Sequence, residues 1–321
     1  MMSELLRVEG LKKYFDTNRG TLHAVDNVSF SIERGKVLGV VGESGCGKST
    51  LGRTILGILK ATGGKIFFEG EDITNVSKRR RKELQQKMQI IFQDPYASLD
   101  PRMCVFDLIA DPLRANKIYK NKDEQIQRVV ELMDTVGLAR RLFYSYPHEL
   151  DGGRRQRIGV ARALAMNPSF IVCDEPVSAL DVSIQAQILN LLSDLQQEKG
   201  LTYIFVTHDL SVVKHISDDI LVMYMGCMAE KSQADELFDH PLHPYTKALL
   251  SAIPVPDIDY KRGRIPMTGE ISSPIDPKPG CRFAARCPYA TDKCRQIQPE
   301  YEELRQGHFV SCHRARELNG L

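Results

Sequence analysis

The chain has 321 residues, 42% hydrophobic and 26% charged, with 43 Lys and Arg against 41 Asp and Glu for a formal net charge of +2. That is ordinary globular composition, ample for one large or two smaller domains, and its balanced charge leaves no global signal for nucleic acid or anionic lipid. The longest apolar run, "ILVMYMGCMA" at residues 220–229, is about half of the ~20 residues a membrane span needs, and the start "MMSELLRVEG" has no apolar secretion core. A soluble, intracellular protein is therefore expected, one able to dock onto membrane proteins. In that compartment its eight cysteines read as thiols or metal ligands rather than disulfides.

In chain order, "VDNVSFSIE" at residues 25–33 alternates as a half-buried strand, and "KVLGVVG" at residues 36–42 is a short apolar run. Running on into "CGKSTLGRTILGIL", it predicts strand, tight loop and helix. "SKRRRKELQQK" at residues 77–87 has no interleaved aromatics and reads as a solvated helix face rather than a nucleic-acid patch. "MQIIFQD" at residues 88–94 is another apolar strand. From about residue 94 to 153 the pattern turns helical, most clearly in "NKDEQIQRVVELMDTVGL". Two more apolar strands, "SFIVCDEP" and "LTYIFVTHD", flank the helical "IQAQILNLLSDLQQEKG". Strands alternating with helices imply a mostly parallel sheet covered on both faces. Beyond about Gln233 come the proline-rich "HPLHPYTKALLSAIPVPDIDY" and "PMTGEISSPIDPKPG" and then a cysteine cluster, together read as an appended small domain.

Gly42, Glu43, Ser44, Gly45, Cys46, Gly47, Lys48, Ser49 and Thr50 carry the P-loop spacing, two glycines five apart followed by Lys and Ser. Glycines let successive backbone N–H groups wrap a polyphosphate without Cβ collisions, and the helix N-terminus behind them favours anions. Lys48 suits neutralisation of β- and γ-phosphates, and the Ser49 hydroxyl suits ligation of Mg2+. "FIVCDEP" delivers Asp174 to a strand end, where it can hold Mg2+ through water, with Glu175 beside it as general base for an attacking water. His208 ends another strand on what should be the same sheet edge, although a lone histidine is more often structural. Gln93 closes the earlier strand and can reach the same metal or water.

Taken in order, the P-loop, Gln93, "DGGRRQR", "CDEP", "SALD" and His208 make the chain resemble the ATP-binding subunits of ABC transporters over essentially its whole length. "IFQDPYASLDPRM", "CDEPVSALDVSIQAQILNLL", "HPYTKALLSAIP" and the cysteine tail narrow the resemblance to the dipeptide/oligopeptide importers, a group that also serves related nickel importers. The resemblance implies an α/β fold: a P-loop (RecA-like) ABC nucleotide-binding domain at residues 1–235, with a helical subdomain at roughly 94–153, and a small Cys-containing C-terminal extension at 236–321. It implies ATP and Mg2+, a Walker A loop at 42–50, and a Walker B strand ending in Asp174 and Glu175. Gln93 becomes the Q-loop glutamine, residues 178–181 the D-loop, His208 the switch histidine facing γ-phosphate, and Tyr14 the ring stacked on adenine, unless it is an ordinary strand tyrosine. It further implies two ATPase chains sandwiching two nucleotides, each between one P-loop and the other chain's signature helix. Two integral membrane permease subunits, docked at the cytoplasmic face of the membrane on a groove including residues 94–113, and an extracytoplasmic substrate-binding protein complete that assembly, with no part for nucleic acid. Dipeptide, longer peptide, nickel chelate and peptide signal all stay open as cargo. A soluble ABC ATPase of translation or DNA repair is disfavoured, because those commonly carry two modules or long inserts.

The family's signature usually reads Leu-Ser-Gly-Gly-Gln, whereas here it is Leu150, Asp151, Gly152, Gly153, Arg154. Asp151 can cap the helix as serine does, but when ionised it cannot donate to a γ-phosphate. A like-charge pair at about 4 Å and an effective dielectric of about 20 costs on the order of 4 kcal/mol before compensation. Arg154 and Arg155 are close enough in sequence to offset part of it. This signature is expected to build the weaker of two unequal sites in a heterodimer with a paralogous ATPase. The alternative is an active site in which Arg154 supplies the missing donor.

Cys281, Cys287, Cys294 and Cys312 are separated by five, six and seventeen residues, which is neither a zinc knuckle nor a ferredoxin run. Spacing alone supports a metal site without naming the metal: iron–sulfur, zinc and free thiols stay open. The resemblance implies a [4Fe–4S] cluster on these four, structural or sensing in role. Cys46, Cys104, Cys173 and Cys227 read as small core or loop residues.

Overall fold

The computed structural model describes residues 3–253, 265–267, 269 and 273–321, so part of the proline-rich stretch expected in the C-terminal extension (254–264, 268 and 270–272) lies outside the described residues. The chain forms two compact units, Met1–Asn75 with Phe205–Leu321, and Val76–Ile204. It crosses back into the first within the strand Thr202–Val206.

In the first unit, the long strands Glu4–Thr17 and Gly20–Glu33 pair antiparallel, and Gly63–Phe68 and Glu71–Asp72 extend that sheet on the side of Glu4–Thr17. Val28, Phe30 and Ile32 are buried while Ser29 and Ser31 face out, the alternation a half-solvated strand requires. A second series of neighbours runs Glu302–Arg305, His308–Val310, Cys227–Gln233, Asp219–Tyr224 and Val37–Val41. All five residues of Val37–Val41 are buried, which is why that strand reads as an unbroken apolar run. It lies parallel to Asp219–Tyr224, but every further pairing in the series is antiparallel. The expectation of a mostly parallel sheet therefore fails on this side. Residues 220–229 fold as a hairpin turning at Met225 and Gly226, and a two-residue turn can only join antiparallel strands. The cysteine tail then adds Glu302–Arg305 and His308–Val310 to the edge the hairpin would leave open.

In the second unit, Met88–Ile91 pairs in parallel with Phe170–Asp174. The helices are Lys78–Lys87, Val105–Ala115, Lys122–Thr135, Gly152–Leu164 and Val182–Lys199. Lys78–Lys87, the basic run, starts at a Ser77 cap and buries Leu84 while its charges face solvent, Arg80 pairing with Glu83. Among the described residues no helix is long and apolar enough to cross a membrane.

Within the first unit, one buried acid ties the strand Cys227–Gln233 to two segments of the tail. Glu230 and His308 have fully buried side chains, with Nε2 of His308 2.7 Å from the Glu230 carboxylate. The same carboxylate accepts the N–H groups of Leu242 at 2.6 Å and His243 at 2.9 Å. It thereby holds both the entry to the helix Pro244–Ser251 and the strand His308–Val310. Truncating one member of such a set strands the others without partners. Glu230→Ala is expected to cost about 3 kcal/mol or more, read as a fall in the urea midpoint, while Arg79→Ala on the solvated helix leaves that midpoint in place.

Candidate active site

Beyond Val37–Val41 the chain turns so tightly that a Cβ on Gly42 would stand 2.2 Å from the Met223 carbonyl oxygen, and one on Gly47 2.0 Å from that of Ala24. Their φ values, 149° and 106°, add to the demand for glycine. Gly47 is also the N-cap of the helix Lys48–Ile55 and supplies no side-chain cap, so an anion approaching the helix start meets no competing cap group there. Ser44 and Gly45 form the exposed crest, Ser49 and Thr50 are half-buried, and Cys46 is buried, which pushes its thiol up. Lys48 is buried as well, and its Nζ donates to the carbonyls of Gly42 (2.8 Å) and Glu43 (3.0 Å). An ammonium held on its own loop's carbonyls is a charge that phosphate oxygens can take over, so the loop fits a polyphosphate.

In the same unit the Thr207 N–H bonds the Val40 carbonyl, which sets the exposed His208 at the end of Val37–Val41 where the loop begins. Tyr14 stacks on His23 with centroids 3.9 Å apart and its hydroxyl donates a hydrogen bond to Asp26 at 2.5 Å. Burial, and then that bond to Asp26, raises the phenol above its ordinary value. Burial alone would raise the Asp26 carboxyl too, but bonds from Tyr14 and His23 and the charge of Arg282 draw it below the usual range.

In the second unit, buried Asp174 ends its strand and Glu175 follows at φ 47°, a left-handed conformation that costs a non-glycine residue energy. The Gln93 amide donates to the Glu175 carboxylate at 3.0 Å. Asp151 caps the helix Gly152–Leu164, whose first turn holds Gly152 and Gly153, by accepting the Arg154 N–H at 2.8 Å. The Arg154 guanidinium turns back onto the same carboxylate at 3.2 Å. Arg155 does not share that work, contrary to expectation. One residue further round the helix it faces the packed side, its guanidinium 3.7 Å over the Tyr96 ring and its Nε bonded to the Pro147 carbonyl.

Cys281, Cys287, Cys294 and Cys312 line one small cavity in the first unit. Burial, reinforced by the other three thiols, pushes Cys281 up to about 12. Their convergence fits a shared ligand. Among the described residues, however, no group of three His, Cys, Asp or Glu is arranged to hold a metal ion, so neither an iron–sulfur cluster nor a magnesium site is shown. Cys46, Cys104 and Cys173 are buried singly, as small core residues would be.

Three residues escape the sequence reading. Arg286 donates to the Glu43 carboxylate at 2.7 Å, Arg282 to that of Asp26 at 2.7 Å, and the Tyr245 hydroxyl accepts the Glu43 N–H at 3.0 Å. The available signal was an acid inside an anion-binding loop, which needs a counter-charge, and two arginines between two cysteines in "CRFAARC".

Residues 25–178 match the ABC transporter family, and residues 229–294 match the oligopeptide/dipeptide transporter C-terminal region. The oligopeptide transport ATP-binding protein OppF of Bacillus subtilis is 52% identical over 320 residues, 98% of each chain. The putative oligopeptide transport ATP-binding protein YkfD of the same organism is 50% identical over 96% of this chain and 95% of its own. Among solved structures, cbiO1 of Clostridium perfringens, part of the ABC transporter complex cbiONQ, superposes with a TM-score of 0.66 at 31% identity, over 74% of this chain and 91% of that one. The ATP-binding cassette MJ0796, bound to ADP and Pi in a dimeric post-hydrolysis state, gives 0.65 at 27% identity, over 71% and 98%. With relatives about half identical over nearly its whole length, the chain belongs to the oligopeptide transport ATP-binding proteins of the ABC transporter family.

Proposed function

We propose that this ATPase subunit of a peptide importer is one of two unequal ATPase chains, working at the cytoplasmic face of the membrane. The observation that carries the chemistry is the loop of residues 42–50, where Gly42 and Gly47 admit no Cβ and the buried Lys48 donates to two carbonyls of its own loop, bonds a phosphate can replace. Residues 1–235 are the nucleotide-hydrolysing part and 236–321 the extension. Loop N–H groups and Lys48 bind the β- and γ-phosphates, and Tyr14 offers its ring to adenine. Ser49, Asp174 and Gln93 would hold Mg2+, which supplies charge neutralisation to the phosphates. Glu175, oriented by Gln93, accepts the proton of the attacking water as the bond from ADP to the γ-phosphorus breaks, while His208 steadies the γ-phosphate. Closure against a paralogous ATPase and reopening would drive two permease subunits, with cargo delivered by an extracytoplasmic binding protein and residues 94–113 meeting the membrane subunits.

The unequal-site reading is supported by Asp151, an acid where a phosphate would sit, with Arg154 alone turned onto it. In the complex reconstituted with its membrane subunits, Glu175→Gln is expected to lower kcat about 100-fold or more with ATP affinity retained, and Asp151→Ala to stay within about twofold. Equal losses would contradict it.

A [4Fe–4S] cluster on Cys281, Cys287, Cys294 and Cys312 would supply a fastening of residues 281–312, a reading supported by the four thiols lining one cavity. Anaerobically purified protein is expected to carry about four irons and four sulfides per chain with absorbance near 400 nm, lost in Cys287→Ser. Iron-free, colourless protein rules the cluster out.

A further inference from the structure

The segment "CRFAARC" reaches the nucleotide loop through Arg286 and the neighbouring strand Gly20–Glu33 through Arg282, and Tyr245, packed on the segment's Phe283, meets the loop's backbone. Arg286, with its side chain 8% exposed, pairs with Glu43 inside the phosphate cradle. Arg282, 11% exposed, pairs with Asp26, the acid that also accepts a hydrogen bond from the Tyr14 hydroxyl and faces His23 at 3.2 Å. Between the two arginines, buried Phe283 packs on Tyr245 and Tyr224 with centroids 5.4 and 5.2 Å away, and Tyr245 accepts the Glu43 N–H. A carboxylate beside an anion's seat opposes that anion unless a cation answers it, and the answering cation comes from the far end of the chain.

We propose that Arg286 and Arg282 are positioning residues of the nucleotide site: Arg286 cancels the Glu43 charge that would repel the phosphates, and Arg282 holds Asp26 and through it the Tyr14–His23 shelf against which adenine rests. The cysteine-bearing tail is then part of the ATP site rather than an appendage to it. This rests on residues 42–50 binding ATP, and Lys48→Ala tests that separately.

The experiment uses the full-length chain, with displacement of a fluorescent ATP analogue by Mg-ATP and by inorganic tripolyphosphate. Arg286→Gln is expected to weaken both ligands about five- to tenfold, and adding Glu43→Gln to it to bring both back to within about twofold of wild type. Arg282→Gln is expected to weaken ATP by several-fold and to leave tripolyphosphate unchanged, because only ATP carries a base. A purely structural role would move the two ligands together and would not be rescued by removing Glu43. Should Arg286→Gln melt below the assay temperature, Glu43→Gln alone decides: loss of a repelling charge gives tighter tripolyphosphate binding, and unchanged or weaker binding overturns the proposal. Wild-type affinity in Arg286→Gln, or a double variant no better than the single, also overturns it. If Lys48→Ala binds ATP normally, the ATP-site reading itself falls; if Lys48→Ala loses binding while both arginine variants keep it, the tail's role alone is refuted.

Discussion

A loop can wrap an anion with backbone N–H groups only where its own chain comes closer to its neighbours than a Cβ permits. At Gly42 and Gly47 the nearest carbonyl oxygens belong to Met223 and Ala24, so the cradle is shaped as much by the hairpin of residues 219–233 and the strand Gly20–Glu33 as by its own residues. The rest of the first unit keeps those neighbours in place. Val37–Val41 delivers the loop from a fully buried position, Asp219–Tyr224 lies beside it, and the strands of the tail cover the hairpin's outer edge.

Charge is distributed with the same locality. The cradle stores one cation, Lys48, on its own carbonyls and carries one acid, Glu43, answered from the tail. The helix Gly152–Leu164 meets its acid differently, with a guanidinium one turn along the same helix. In one case the answer is a largely buried pair, which salt screens much less. In the other the ion pair is about half exposed, and solvent screens it.

What could be read in the sequence was local. Strand, loop and helix at residues 36–55, the capping role of Asp151 and the solvated basic helix all follow from patterns a few residues long. The opposite fates of Arg154 and Arg155 were not legible, because a step of about 100° round a helix decides which one meets Asp151, and that depends on where Tyr96 and Pro147 pack. The antiparallel half of the first unit hid behind an apolar run that looked like one element and is two strands with a tight turn. Arg282 and Arg286 were missed for a different reason: their partners lie 256 and 243 residues away, and no periodicity reports such a pairing.

Those separations also set an order of events in the life of the chain. At about 5–20 residues per second of synthesis, Glu43 is added to the chain roughly 12–50 s before Arg286. Through that interval the nascent phosphate loop carries its acid unanswered, and the strand next to Tyr14 waits for the segment around Asp276 that bonds it. Messages cut short near their 3′ end would therefore yield cassettes with a complete P-loop sequence and a half-built pocket. Such a product resembles a working subunit in every motif and lacks the electrostatics of one.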